Sequence, residues 1–195
     1  MFSQLRPALV SMTFFTALLG LAYPLAVTGI AQATFPTQAN GSIIADRSGK
    51  PVGSALIGQA FSAAGYLHPR PSAAGKGYDA AASSGSNYGP LNPDYMARVK
   101  TDADALRAEG AGPVPADAVT TSGSGLDPDI SPAYAERQVQ RVADARGVPP
   151  ARVRDVIAEA TRQPGLGFLG QPRVNVLTAN LALDARLPAA HPPAR

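Results

Sequence analysis

Between Arg6 and Asp46 the chain carries no charged side chain, and inside that interval Leu9 to about Ala31 form one apolar run, LVSMTFFTALLGLAYPLAVTGIA. At about 1.5 Å per residue this run makes a helix of roughly 34 Å, enough to cross a hydrocarbon core of about 30 Å with some tilt. A secretory signal peptide also starts with a basic residue and an apolar stretch, and Ala31-Gln32-Ala33 offers a small-x-small cleavage pattern. The apolar core of a signal, however, spans only about 7 to 15 residues. The run is longer and carries Phe14, Phe15 and Tyr23, so it reads as an uncleaved anchor. Arg6 and the amino group on the short leading flank place the N-terminus in the cytoplasm. The long remainder then lies outside, because long domains translocate largely regardless of charge. Pro24 removes a helical hydrogen bond, and Gly20, Thr28 and Gly29 give a surface on which partner helices can pack.

Beyond the anchor there is enough chain for one domain, without an internal repeat. Residues 1–34 are read as N-terminus and anchor, 35–187 as the folded domain and 188–195 as a Pro-rich tail. The net charge of +3 comes from arginines scattered singly among acids, a pattern that does not support nucleic-acid binding. With no cysteine, disulfides, thiolate metal sites and cysteine nucleophiles are excluded. Two histidines, His68 and His191, make no metal cluster. Nineteen glycines and nineteen prolines predict long, turn-rich loops.

Along the domain, Ile43-Ile44 and Val52 to Ile57, separated by Asp-Arg-Ser-Gly-Lys-Pro, read as a hairpin. Residues 61–93 show no period and read as a loop, long enough to be functional. Asn92 as cap, Pro93 at the first position and Asp94 start a helix that ends at Gly110, with Tyr95, Val99, Ala103 and Leu106 on one face. Ala118 to Thr121 read as a short strand. Ser131-Pro132 start a second helix that runs to Arg146 and stops at Gly147. After Pro149-Pro150 a third carries Val153, Val156, Ile157 and Ala160, until Gln163-Pro164-Gly165 breaks it. Val174 to Leu187 fit a buried helix better than a strand. The fold class is α+β: one membrane helix and a small extracytoplasmic domain with three or four helices and a short sheet.

Catalytic chemistry is sparse. His68 is the one histidine placed to act as a base near Ser72, yet no Gly-x-Ser-x-Gly elbow is present. Ser122-Gly123-Ser124-Gly125 can present backbone N–H groups as an anion nest, but lack the lysine and spacing of a P-loop. Asp127 and Asp129 read either as a carboxylate pair for a hard cation or as local backbone acceptors before the Ser131 helix. Tyr66, Tyr78 and Tyr88 read either as a recognition surface in the long loop or as packing.

Several loop motifs form a recognisable string: Gly58-Gln59-x-Phe61, Arg70-Pro71-Ser72-Ala73, Ser84 to Pro93, and Val119-Thr120-x-Ser122-Gly123-Ser124-Gly125-Leu126-Asp127-Pro128-x-Ile130-Ser131-Pro132. With Gln138, Arg141-Val142-Ala143, Ala145-Arg146-Gly147 and Pro172 to Asp184, the string resembles the C subunit of the Kdp potassium-transporting P-type ATPase. The resemblance covers essentially the whole chain. It implies a bacterial inner-membrane complex for potassium import. In that complex a channel-like subunit selects the ion and a P-type subunit hydrolyses ATP, while the C subunit is a non-catalytic assembly factor described as raising the ATP affinity of its partner. It implies no tightly bound cofactor and no metal, with ATP the family's nucleotide. It names Ser122, Gly123, Ser124, Gly125, Asp127 and Gln138 as candidate nucleotide or subunit contacts. Positive-inside topology sets these residues on the side away from cytoplasmic ATP, which favours a structural role on the outer face of the potassium-selecting subunit. The reading from a different class is an anchored extracytoplasmic ligand-binding or hydrolytic domain using His68 and Ser72.

Overall fold

The computed structural model describes residues 2–46, 48–110 and 112–188. Two compact units divide after Val52. In the first, a 3₁₀ turn (Phe2–Gln4) leads into one apolar helix, Leu5–Thr34, none of whose membrane-length window is buried. It consists of α1 (Leu5–Ala17), a π-helical turn (Leu18–Ala22) and α2 (Tyr23–Thr34). The π turn sits where the Pro24 ring would otherwise meet the Gly20 carbonyl, so the wider turn absorbs the clash and the helix continues. Phe35 ends it at φ −137°, and the short α3 (Pro36–Ala39) follows. The amides of Gln32 and Asn40 bond each other at 3.2 Å across that corner. The expected hairpin is present as β1 (Ile43–Ala45) and β2 (Pro51–Ser54). Its turn is held by Asp46 Oδ1, which accepts from Ser48 N and Lys50 N; Arg47 in that turn lies outside the described residues.

The second unit holds α4 (Pro93–Glu109), β3 (Asp129–Ile130), α5 (Pro132–Arg146), α6 (Pro150–Ala160), β4 (Thr161–Arg162), β5 (Arg173–Asn175) and α7 (Val176–Arg186). Four helices match the three or four expected for an α+β domain, whereas none of the three strands of this sheet was among those expected. The antiparallel sheet has order β3-β5-β4, with Ile130 and Thr161 both opposite Val174. Its core joins Val139 and Val142 of α5, Val153 and Val156 of α6, Val174, and Leu183 of α7, with Leu67 contributed by the long loop. Burying each such side chain stabilises the fold by about 1.5–3 kcal/mol.

The helix starts follow the predicted chemistry. Asn92 Oδ1 accepts from Asp94 N and Tyr95 N, and Ser131 Oγ accepts from Tyr134 N. Gly147 stops α5 in the left-handed region, at φ 64°. Gly110, by contrast, leaves α4 in an extended conformation. The end of α4 is capped by the Arg137 guanidinium, which donates to the carbonyls of Leu106 and, at 2.8 Å, Gly110.

Four expectations need correction. The second hairpin strand ends at Ser54 rather than Ile57, and the third helix ends at Ala160, with Thr161–Arg162 in β4, rather than running to the Gln163 break. Ala118 to Thr121 form no strand: Ala116–Ala118 make a 3₁₀ turn, because the Asp117 carboxylate is drawn to Ser131 N (2.6 Å) and Ser131 Oγ (2.9 Å) while Thr120 Oγ1 bonds back to Ala116 O. Nor is Val174 to Leu187 one helix. Val174 and Asn175 are the central strand, and Asn175 Oδ1 then accepts from Thr178 N to cap α7. Pro188 is exposed, and residues 189–195 of the expected tail, His191 included, lie outside the described residues.

Candidate functional site

The long loop solves a difficult problem in residues 63–68. Gly65, Tyr66 and Leu67 are buried, yet they belong to no sheet, so their backbone groups need partners from elsewhere. Side chains of α5 and α7 supply them. Arg141 donates to the carbonyls of Ala64 (2.8 Å) and Tyr66 (3.0 Å), and Arg146 Nε donates to Gly65 O (2.7 Å). Asn180 takes both backbone groups of Leu67, accepting its N–H at 2.8 Å and donating to its carbonyl at 3.0 Å. Gln138 does the same for His68, at 2.7 and 3.1 Å. Two amides thus stand in for the missing neighbouring strand.

Arg146 anchors this arrangement. Its side chain is fully buried; besides Gly65 it reaches Leu187 O (2.7 Å) and Asp184 Oδ1 (2.9 Å), and its guanidinium lies 5.3 Å from the Tyr66 ring centroid. The Tyr66 hydroxyl donates to the other Asp184 oxygen.

A second interlock joins the motif loops. Gly125 is at φ +67°, and the space where a side chain would stand is occupied by Ser84 O and Ala74 N. Ser72 Oγ donates to Gly125 O (2.6 Å) while accepting from Tyr78 N (2.8 Å), and Ser84 N donates to Ser124 O (2.9 Å). Gly58 N donates to Leu126 O, and a β-carbon on Gly58 would stand 2.7 Å from Asp127 O. Arg70 pairs with Asp127 at 2.8 Å, and the other Asp127 oxygen accepts from Asp129 N. Asp129 in turn pairs with Arg173 (2.8 Å) and accepts from Asn175 Nδ2 (3.0 Å). Motif fragments dispersed from Gly58 to Asp129 are therefore the parts of one clasp.

The hydroxyls of the Ser122–Asp127 loop turn back on their own turn: Ser124 Oγ accepts from Leu126 N and Ser122 Oγ from Asp127 N. Gly123 and Ser124 form the exposed apex. Gln138 belongs to the other interlock and lines a groove of about 880 Å³ with His68, Glu109, Tyr134, Arg137 and Arg141, whereas no residue from Ser122 to Asp127 lines it. The six candidates thus fall at two places. Tyr66 is core, Tyr78 donates to Arg70 O, and Tyr88 is half exposed beside Tyr95.

Charge in the groove is shaped by burial. Desolvation and, second, the Arg141 guanidinium hold the His68 imidazole below its ordinary value, against the opposing contact with Ala63 O. Burial lowers Arg141 as well, with Glu109 opposing. Burial pushes the Tyr134 phenol up to about 12. His68 and Ser72 make no nucleophile and base pair: the imidazole Nε2 faces Ala63 O at 3.2 Å, and the Ser72 hydroxyl is given to Gly125 O.

A depressed histidine value has a defined consequence for stability. Below the unfolded value of about 6.5 the unfolded chain binds the proton that the folded chain refuses, so stability falls as pH drops from about 6.5 toward the folded value. His68→Gln is expected to flatten that slope below about pH 6.5 in urea unfolding of the full chain in detergent. An unchanged slope in the variant rules His68 out as its source.

Asn180, Arg146 and Asn175 stand in the motif string without a role read for them from the sequence, and Asp117 stands outside it. Polar residues within apolar helix faces were the available signal for Asn180 and Arg146; their partners, 113 and 81 positions away, leave no local trace.

Comparison with known proteins matches residues 5–185 to the family model described as "K+-transporting ATPase, c chain" (KdpC). Among relatives, the potassium-transporting ATPase KdpC subunit of Caulobacter vibrioides is 70% identical over 189 residues, 96% of each chain. The KdpC subunit of Beijerinckia indica is 59% identical over 99% of each chain. That of Rhodospirillum rubrum is 55% identical over 98% of this chain and 100% of the relative.

Proposed function

The chain belongs to the KdpC family, and on that premise we propose that it is the non-catalytic accessory subunit of a potassium-transporting ATPase, anchored by Leu5–Thr34 with its folded domain outside the cytoplasm. The observation that carries this reading is that the family match runs without interruption from the membrane-length helix through α7. Its partners are the channel-like subunit that selects potassium and the P-type subunit that hydrolyses ATP. Supporting a structural role, Gln138, Arg141, Arg146 and Asn180 are engaged in holding the long loop to α5 and α7, and Ser72, Arg70 and Asp127 in holding loops to one another. Gly20, Thr28 and Gly29 supply the packing surface for partner helices. A nucleotide contact at Ser122–Asp127 would have to draw on the Gly123–Ser124 apex, since the serine hydroxyls are turned inward. The same apex suits a subunit contact, and positive-inside topology favours that use.

One experiment tests membership and orientation together. Ala108 is exposed near the end of α4, and the native chain has no cysteine, so Ala108→Cys gives a single labelling site. Intact cells expressing all transporter subunits are treated with a membrane-impermeant biotin maleimide and extracted in mild detergent, and labelled chains are captured. Potassium-stimulated ATP hydrolysis and the partner subunits are expected in the captured fraction. Labelling only after lysis overturns the orientation, and capture of this chain alone overturns the subunit role.

A further inference from the structure

The segment joining β4 to β5, Gln163 to Pro172, projects three large apolar side chains into solvent: Leu166 is 83% exposed, Phe168 74% and Leu169 56%. Exposed single residues of this kind are ordinary, but three on one ordered tip are not. The tip is built rather than loose. Gly165 N donates to Leu169 O at 2.9 Å, Leu169 N donates to Gly165 O at 2.8 Å, and Phe168 N and Gly167 N close the turn on Gly165 O and Pro164 O. It is fastened to the core through Val174, fully buried in β5, and through Thr161, whose hydroxyl bonds Ile157 O.

Two features of the tip are costly in the isolated domain. Leu166 sits at φ 52°, a left-handed conformation that disfavours a residue with a β-carbon and suits Gly or Asn. Its exposed side chain gains little burial to offset that cost. At the base of the arm, Arg162 lies directly opposite Arg173 across the β4 and β5 pair, an unfavourable placement of like charges. Arg173 is paired with Asp129, whereas Arg162 has no ion pair among the described residues. An ordered apolar knob with one unanswered cation at its base is complementary to an apolar recess edged by a carboxylate.

We propose that the Leu166–Leu169 tip is the plug by which this domain docks on a sister subunit of the transporter, entering an apolar recess whose acidic rim pairs with Arg162. This rests on the accessory-subunit reading above and names its contact surface. Pre-organisation of the turn reduces the entropy lost on docking, and apolar side chains seated in a desolvated pocket dominate such contacts. The occupant is a protein rather than lipid because a strained, hydrogen-bonded turn with a cation at a set register position beneath it calls for a shaped and charged counterpart, which a fluid bilayer surface does not offer.

The test uses the full complex. A photoreactive p-benzoylphenylalanine replaces Phe168, and in a separate sample Lys100 on the exposed side of α4, before irradiation in native membranes. Adducts with one transporter subunit are expected at position 168 and not at position 100. In parallel, the Leu166→Asn and Arg162→Glu chains are expected to remain with the purified complex about tenfold less than the wild type through washes in moderate salt, on the order of a hot-spot loss. Leu166→Asn should meanwhile keep or raise the melting temperature of the full chain, since Asn tolerates the left-handed turn, so weaker retention is not misfolding. Adducts with lipid only, or both variants retained like the wild type, overturn the plug while leaving the subunit role intact. Failure of the wild type itself to co-purify removes both.

Discussion

Replacing Arg146 by Ala is expected to destabilise the folded domain by about 3–5 kcal/mol, the range for breaking a fully buried, multiply bonded ion pair. The effect is not chiefly the loss of attraction to Asp184, which is itself about a third exposed. It comes from what stays behind: the carbonyls of Gly65 and Leu187, both bonded at 2.7 Å to the guanidinium, would lose their donors inside the core. Tyr66 would lose the cation over its ring, and a cavity would open beneath a loop that has no sheet to hold it. Arg146→Lys recovers the charge but not the fork that serves several acceptors at once, so it should recover only part of the loss. Arg154→Ala, which breaks an exposed pair with Glu136, is the control and should cost less than about 1 kcal/mol. Urea unfolding of the full chain in detergent, followed by tyrosine fluorescence since the chain has no Trp, measures all three. Equal small losses for Arg146→Ala and Arg154→Ala would contradict the assigned role.

How much of this was legible beforehand depended on whether a signal was local. Helix starts were legible because Asn92 and Ser131 act within three residues of themselves, and Gly147 acts on the turn that precedes it. The long apolar N-terminal helix, a candidate span, was legible because length and apolarity alone define it. The strand expected at Ala118 to Thr121 failed because Asp117 answers to Ser131, fourteen positions on. Val174 and Asn175 were misread because a short strand flowing directly into a helix leaves no period to detect. At the candidate site, the serines and glycines of Ser122 to Gly125 drew attention as donors to an anion. Most of what the fold uses there are carbonyls, accepting from Ser72, Ser84 and Gly58, and an acceptor on the main chain is invisible in any sequence. Gln138 was singled out from the resemblance, while its bond to His68, 70 positions away, emerges only when α5 is laid against the long loop.

The same clasp supplies the second large expected effect, at Gly125. In the left-handed region an Ala costs about 1 kcal/mol or more relative to Gly. Here the added β-carbon would also stand 2.4 Å from Ser84 O and 2.7 Å from Ala74 N, both backbone atoms that cannot rotate away. Relief requires one loop to move, and either movement breaks something. Shifting residues 72–74 loosens the bond from Ser72 to Gly125 O; shifting residues 83–84 loosens those from Ser83 and Ser84 to Ser124 O. Arg70 and Asp127 then lose their 2.8 Å approach, and with Asp127 goes the acceptor for Asp129 N at the start of β3. Gly125→Ala should therefore cost about 3–5 kcal/mol in the same unfolding assay, well above the strain of the backbone angle alone. Gly123→Ala, two residues away where nothing lies within 4 Å of a β-carbon, is expected to stay within about 0.5 kcal/mol of the wild type. The pair separates the two demands that a glycine-rich motif can encode. A motif kept to admit an anion should be sensitive at both positions, since both lie on the same turn. A motif kept to close a clasp should be sensitive only where two other loops press against it. Equal sensitivity at Gly123 and Gly125 would count against the clasp, and a steep difference would assign the Ser-Gly-Ser-Gly block to holding the domain in the shape that its partners meet.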